Sequence, residues 1–187
     1  GEDMNLSGRE FWGLVHGMGL GALYLLAFGG AIAGLWSLRP NLLTAEGVTE
    51  RMPRLKAGFT IMAVAAWLVV ITGTWIVYPW YRAGATDTCT ATSVSAVPPD
   101  CGAKWVLLAN SNTADWHNFA MEWKEHAAWI VPLLATAVAF SVIYMGSGLL
   151  ARDDIRRPLM WFLFASFALA AVAGLLGALI TKNAPVV

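Results

Sequence analysis

The sequence predicts an all-α membrane protein, a single bundle of four transmembrane helices with both termini outside and one long external loop. Two observations support this fold class. The chain of 187 residues is 58% hydrophobic and only 13% charged, whereas about a quarter of the residues of a soluble domain are charged. It also contains four apolar segments without any Asp, Glu, Lys or Arg. Each segment is long enough, at about 20 residues or more, to cross a hydrocarbon core as a helix.

The four segments are expected to be helices because backbone groups in lipid must form their hydrogen bonds internally. Proline marks three of their boundaries: Pro40 follows the first segment, Pro53 precedes the second and Pro158 precedes the fourth. The third helix is expected to extend outward beyond its apolar part. All 187 residues are assigned to one membrane domain. The predicted helices span 11–38, 57–81, 114–150 and 159–181, and the external loop spans 83–112.

Basic residues predict how the bundle is oriented. The connections between the first and second helices and between the third and fourth hold seven of the twelve Lys and Arg residues. The other five are spread over much more chain on the opposite side. This bias predicts a multi-pass protein of the bacterial inner membrane with its N- and C-termini on the outer side.

The external loop contains the only two cysteines of the chain, Cys89 and Cys101. Two cysteines in one exposed loop predict a disulfide in an oxidising compartment. Closing this loop would stabilise the fold by about 3 kcal/mol through the entropy of the unfolded chain. A metal pair is the weaker interpretation, because the spacing is not that of a short Cys-x-x-Cys site.

Composition also excludes some functions. No basic stretch indicates nucleic-acid binding. No charged residue or histidine lies in the inner half of any predicted helix, so we do not expect this chain alone to transport protons or ions. Three histidines on the outer side are too few to ligate two haems stacked across the membrane.

Two of those histidines, His16 and His126, are predicted to lie at similar depth. His16 is near the start of the first helix and His126 begins the apolar part of the third, and these two helices run in the same direction. His117 lies nine positions before His126, about 180° around the helix, so the two are not expected to share a ligand.

A haem held between His16 and His126 would also need small residues beside the ring. The first helix offers glycines around its histidine, although glycines at a spacing of four can equally form a helix-packing face. Glu122 is one helical turn before His126 and could orient its ring. Lys124 and Glu125 are expected to belong to a solvated interfacial ring, and the tryptophans to an aromatic belt. The predicted cofactor-binding residues are His16 and His126, which would ligate the haem iron, with Gly13, Gly17, Gly19, Glu122, Trp12 and Trp129.

Four helices with histidines at helix ends resemble the four-helix membrane cytochromes b. This resemblance implies that His16 and His126 are axial ligands of a b-type haem that exchanges electrons with quinone. The chain departs from that family by lacking histidines on the inner side.

The first functional hypothesis is therefore a membrane subunit of a bacterial electron-transfer complex, holding one haem b near the outer surface. Its partners would be the lipid bilayer, other membrane subunits and an external cytochrome, and it would not be an enzyme by itself. One alternative is a cofactor-free structural subunit of a larger membrane complex. Another is an outer-surface quinone or lipid pocket without haem, lined by His126, Glu122 and the tryptophans.

Overall fold

The computed structural model describes residues 6–84 and 101–185, and these residues form helices and connections without a strand. Four of the helices are long and apolar enough to cross a membrane. The predicted all-α bundle of four membrane-spanning helices is confirmed. We number all helices in chain order: α1 Gly8–Ser37, α2 Ala45–Tyr81, α3 Ala103–Leu108, α4 Trp116–Ala151 and α5 Asp153–Asn183.

The helix α2 begins twelve residues earlier than the sequence predicts, at Ala45 rather than residue 57. The Thr44 side chain caps it by accepting a hydrogen bond of 3.2 Å from the Gly47 N–H. Pro53 lies inside the helix and does not end it. Its missing N–H costs one backbone hydrogen bond, and this loss is tolerated because Pro53 is exposed near the helix start. In the same way, α5 contains Pro158 within its first turns.

The spanning helices pack around a square, with α1 beside α2 and α5, and α4 beside the same two helices. Side-chain hydrogen bonds join all four sides, including α1 and α2, where His16 Nδ1 and the Thr72 hydroxyl oxygen lie 3.2 Å apart. The Tyr24 and Ser166 hydroxyls lie 2.6 Å apart between α1 and α5, and Ser166 donates to the Val131 carbonyl of α4 at 2.9 Å. The Trp67 indole of α2 donates to Thr136 of α4 at 3.0 Å. Helices α1 and α4 therefore face each other diagonally.

One end of the bundle holds the two short connections between spanning helices, and we call it the short-loop end. Arg156 is only 4% exposed there. Its guanidinium donates to the Leu38 carbonyl at 2.5 Å and to the Leu149 carbonyl at 3.2 Å, and it pairs with Asp153. A single cation thus satisfies backbone carbonyls at the ends of α1 and α4.

The opposite end holds the start of α1 and the end of α5, and we call it the termini end. The chain between α2 and α4 is attached here, because Gly102 N–H donates to the Ala83 carbonyl at 2.6 Å. Arg9 of α1 donates to the Cys101 carbonyl at 3.3 Å. Cys101 is buried, but Cys89 lies outside the described residues. The Cys89–Cys101 disulfide therefore stays a prediction.

Candidate functional site at the termini end

Three spanning helices widen locally into π-helical turns, and all three turns lie at the termini end. They are Val15–Gly21 in α1, Gly73–Val77 in α2 and Trp116–Met121 in α4. Such turns are rare in proteins, and those that do occur are often found at functional sites. Two of them contain histidines, His16 and His117, and the third begins with a glycine that contacts His16.

The His16 ring packs against α2. Its Nδ1 lies 3.2 Å from the Thr72 hydroxyl oxygen. That hydroxyl already donates its single proton to the Leu68 carbonyl at 2.7 Å, so it accepts from His16 Nδ1–H. A side chain at Gly73 would come within 2.7 Å of His16 Cε1. The imidazole is therefore fixed by Thr72 and fits only because position 73 has no side chain.

The His126 ring is also held by a hydrogen bond from Nδ1, but it lies on the outward face of α4. Its Nδ1 lies 2.7 Å from the Glu122 carbonyl oxygen, which can only accept, so Nδ1 carries the proton. Both His126 and Glu122 are exposed. Their side chains therefore lie on the outward face of α4.

Lys124 shows which face of α4 points inward. A Cβ atom placed on Gly177 of α5 would lie 3.1 Å from the Lys124 amine. The amine also interacts electrostatically with His16. His126 is two residues after Lys124, and two residues of an α-helix correspond to a rotation of about 200° around its axis. His126 therefore points away from the side of α4 that approaches His16. The described contacts do not bring these two imidazoles together, and joint haem ligation stays a prediction.

The other residues predicted to bind the cofactor are also dispersed. Side chains built at Gly13 and Gly17 would meet nothing within 4 Å, and at Gly19 the nearest atom is 3.7 Å away on α1 itself. Trp12 packs edge-on against its neighbour Phe11. Trp129 packs edge-on against Trp67 and Trp75 of α2. The glycine that accommodates His16 is thus Gly73, on the neighbouring helix.

His117 is the buried histidine of the termini end, with only 7% of its surface exposed. Its Nδ1 lies 2.8 Å from the Tyr81 hydroxyl, and the two ring centroids are 5.8 Å apart. Either group can donate in this hydrogen bond. The phenol donates when the ring proton of His117 is on Nε2, and Nδ1 donates when the ring proton is there.

Tyr78 extends this pair into a larger cluster. Its ring stacks on Tyr81 at a centroid distance of 6.1 Å. Its hydroxyl donates to Glu125 Oε2 at 2.8 Å and accepts from the Arg82 guanidinium at 3.1 Å. We call these five residues the polar cluster: Tyr78, Tyr81, Arg82, His117 and Glu125.

Two buried polar atoms at this end have no hydrogen-bond partner among the described residues. They are Glu125 Oε1 and Trp105 Nε1, one an acceptor and the other a donor. A buried polar atom without a partner costs about 1–3 kcal/mol. The polar cluster therefore has capacity to bind a further hydrogen-bonding group.

The sequence expectations missed most of this cluster. They placed Glu125 in a solvated ring, whereas Glu125 bonds to Tyr78. The useful signal was the pair Tyr78 and Tyr81, three apart at the end of α2, because residues at that spacing share a helix face. The end of α2 and the start of α4 also lie on the same side of the membrane.

No three His, Cys, Asp or Glu side chains within residues 6–84 and 101–185 are grouped to hold a metal ion. Comparison with protein-family models, with curated proteins and with solved structures finds no match to this chain. The fold and the site define a class: a multi-pass helical membrane protein with a half-buried tyrosine–histidine–glutamate cluster at one end.

Proposed function

We propose that this chain is a membrane subunit of a bacterial electron-transfer complex and that it binds quinone or quinol at the polar cluster. The observation that carries the proposal is the buried His117–Tyr81 hydrogen bond joined through Tyr78 to Glu125, whose second carboxylate oxygen is buried without a partner. On the predicted orientation, this cluster lies at the outer surface of the inner membrane.

The chemistry of quinone matches these groups. Its carbonyl oxygens accept hydrogen bonds, and the hydroxyls of quinol donate them. His117 Nε2 makes no hydrogen bond with the described residues, and it is a donor or an acceptor depending on which way the Tyr81–His117 bond runs. Glu125 Oε1 can accept from a quinol hydroxyl. The aromatic rings of Tyr78 and Tyr81 supply an apolar surface next to these polar atoms.

In the proposed reaction, quinol loses two protons and two electrons to become quinone. Glu125 takes one proton, and the His117–Tyr81 pair takes the other. Arg82, which bonds Tyr78, offsets the negative charge of Glu125 while it is deprotonated. The electrons pass to a redox centre of a partner subunit or to an external cytochrome. In the reverse reaction, the reduction of quinone to quinol, the same groups donate the two protons.

Paired substitutions test this proposal. We expect His117→Gln and Glu125→Gln each to weaken the binding of a short-chain quinol by about tenfold to a hundredfold, the effect of losing one hydrogen bond that involves a charged or buried group. The measurement is the dissociation constant of the purified chain in lipid nanodiscs, determined by isothermal titration calorimetry.

The matched controls are His126→Gln and Glu122→Gln, the same changes on the exposed face of α4. We expect them to bind quinol like the unmodified chain. If the two exposed positions weaken binding and the two clustered positions do not, the site is the originally predicted one at His126 and Glu122, and the polar cluster is not the quinone site.

A b-type haem is the second candidate, favoured by one observation. In both His16 and His126 the Nδ1 proton is donated to a fixed oxygen, which leaves the Nε2 lone pair available, as in metal-bound histidines. The two rings do not fit one haem between α1 and α4 as they stand, since they point to different sides. A reduced-minus-oxidised absorption spectrum with an α-band lost in both His16→Ala and His126→Ala would establish this ligation. A flat spectrum of the folded protein would exclude it for the isolated chain.

A further inference from the structure

A long groove lies between α1 and α2 in the half of the bundle next to the short-loop end. Its volume is about 540 Å³. Residues 27–37 of α1 line one side, which corresponds to about 15 Å of helix. The groove exists because the residues facing it are small, among them Gly30, Gly34 and Gly58.

The groove is open on its outer side at Gly30 and Gly58, whereas the Leu55 side chain covers Gly34. A side chain built at Gly30 or at Gly58 would meet nothing within 4 Å. Its floor is closed, since Leu38 and Phe59 are only 1% and 2% exposed. In a membrane the groove faces the hydrocarbon core. A lipid acyl chain in the groove would make the van der Waals contacts that an empty groove lacks.

Two arginines, Arg51 and Arg54, line the end of the groove nearest the short-loop end. They are three positions apart on α2, so they project from one helix face. Both are exposed, and neither takes part in an ion pair with the described residues, whose ion pairs all involve Asp153 or Asp154. Glu50, four residues before Arg54, forms none with it either.

We propose that this groove binds an anionic phospholipid, with one acyl chain along Gly30 and Gly58 and the phosphate between Arg51 and Arg54. An apolar channel that ends at two cations without ion-pair partners is complementary to a chain that ends in a phosphodiester. Basic pockets between helices at the membrane surface recognise anionic headgroups in this manner. The site lies at the other end of the bundle from the polar cluster and is independent of it.

Native mass spectrometry of the delipidated protein, titrated with phosphatidylglycerol or phosphatidylcholine of identical acyl chains, tests the proposal. We expect a preference for phosphatidylglycerol of about 30-fold, from two arginines that each contribute about fivefold. Arg51→Gln and Arg54→Gln should each lower that preference about fivefold. Arg157→Gln is the matched control, because Arg157 is also exposed at this end but is paired with Asp153.

Gly30→Leu tests the acyl-chain part of the site. It should fill the groove and lower the affinity for both lipids at least tenfold. Gly29→Leu is its matched control, since a side chain there also meets nothing within 4 Å but Gly29 does not line the groove. Equal affinity of the unmodified chain for the two lipids would overturn the proposal. The proposal would also be overturned if the Gly30→Leu and Gly29→Leu variants bound lipid with equal affinity. A Gly30→Leu mass spectrum that shows loss of a protein dimer, instead of loss of bound lipid, would overturn it as well.

Discussion

Arg156 holds the short-loop end together through hydrogen bonds to backbone carbonyls of two helices. Because its guanidinium is buried, its removal leaves the Leu38 carbonyl without this donor and the Leu149 carbonyl with only the Arg152 N–H. We expect Arg156→Gln to lower the free energy of unfolding by about 3 kcal/mol. The measurement is unfolding of the purified protein by a denaturing detergent, followed by circular dichroism.

The control for this prediction is Arg157→Gln. Arg157 pairs with the same carboxylate, Asp153, but its side chain is 77% exposed. An exposed ion pair contributes less than about 1 kcal/mol, so this variant should unfold nearly like the unmodified chain. Equal destabilisation by the two variants would show that the carbonyl bonds of Arg156 are unimportant.

Ser166 joins three helices through a single hydroxyl, which contacts Tyr24 of α1 and donates to the Val131 carbonyl of α4. We expect Ser166→Ala to destabilise the bundle by about 1–2 kcal/mol, the upper range for hydrogen bonds between membrane helices. Ser141→Ala is the comparison, because the Ser141 hydroxyl bonds a carbonyl of its own helix. An effect of Ser141→Ala as large as that of Ser166→Ala would contradict the assignment.

At the scale of helices, the contact between α1 and α2 depends on the missing side chain at Gly73. A methyl group there would come within 2.7 Å of His16 Cε1, so Gly73→Ala must displace the ring or separate the helices. We expect a loss of about 1–3 kcal/mol in unfolding free energy. Gly13→Ala, where a methyl group meets nothing within 4 Å, should be neutral or slightly stabilising. Thermal unfolding of the two variants side by side measures the difference.

Helix number could be predicted from the sequence because the length and composition of an apolar segment determine whether it can span a membrane. Helix rotation could not, because packing against neighbours sets it. Lys124 faces α5 while His126 faces outward, although both belong to one helix. The direction of each ring, toward Thr72 for His16 and outward for His126, could therefore not be predicted.

The same reason explains the predicted glycines. Gly13 and Gly17 lie on the helix that carries His16, where sequence proximity suggested space for a flat group. The space that His16 occupies is provided by Gly73, on a helix 57 positions away in sequence. Such pairing between helices leaves no local signal in a single sequence.

At the scale of the whole molecule, the distribution of Lys and Arg residues predicts how the bundle is oriented in the membrane. Seven of the twelve Lys and Arg residues lie around the two short connections, which the positive-inside rule assigns to the cytoplasmic side. We expect alkaline phosphatase fused after Asn183 to be active in the periplasm and the same enzyme inserted in residues 39–43 to be inactive. The reverse pattern would place the polar cluster on the cytoplasmic side.

Protons released by quinol oxidation at the termini end would enter the outer aqueous phase if that orientation holds. In the proposed function, the polar cluster takes up these protons, and its buried carboxylate oxygen is the observation that supports this role. The groove at Arg51 and Arg54 is the proposed lipid site, and it lies at the other end of the bundle. The two proposals therefore concern different ends and different ligands.

The most direct test of the central claim is to map where quinone binds. The purified chain in nanodiscs would be illuminated with an azido-quinone, and the labelled peptides would be sequenced by mass spectrometry, with an excess of unlabelled quinone as the control. We predict labels, removed by that excess, on residues 75–82 of α2 and 117–125 of α4. Labels confined to other segments, or labels that the excess does not remove, would contradict the assignment of the polar cluster as a quinone site.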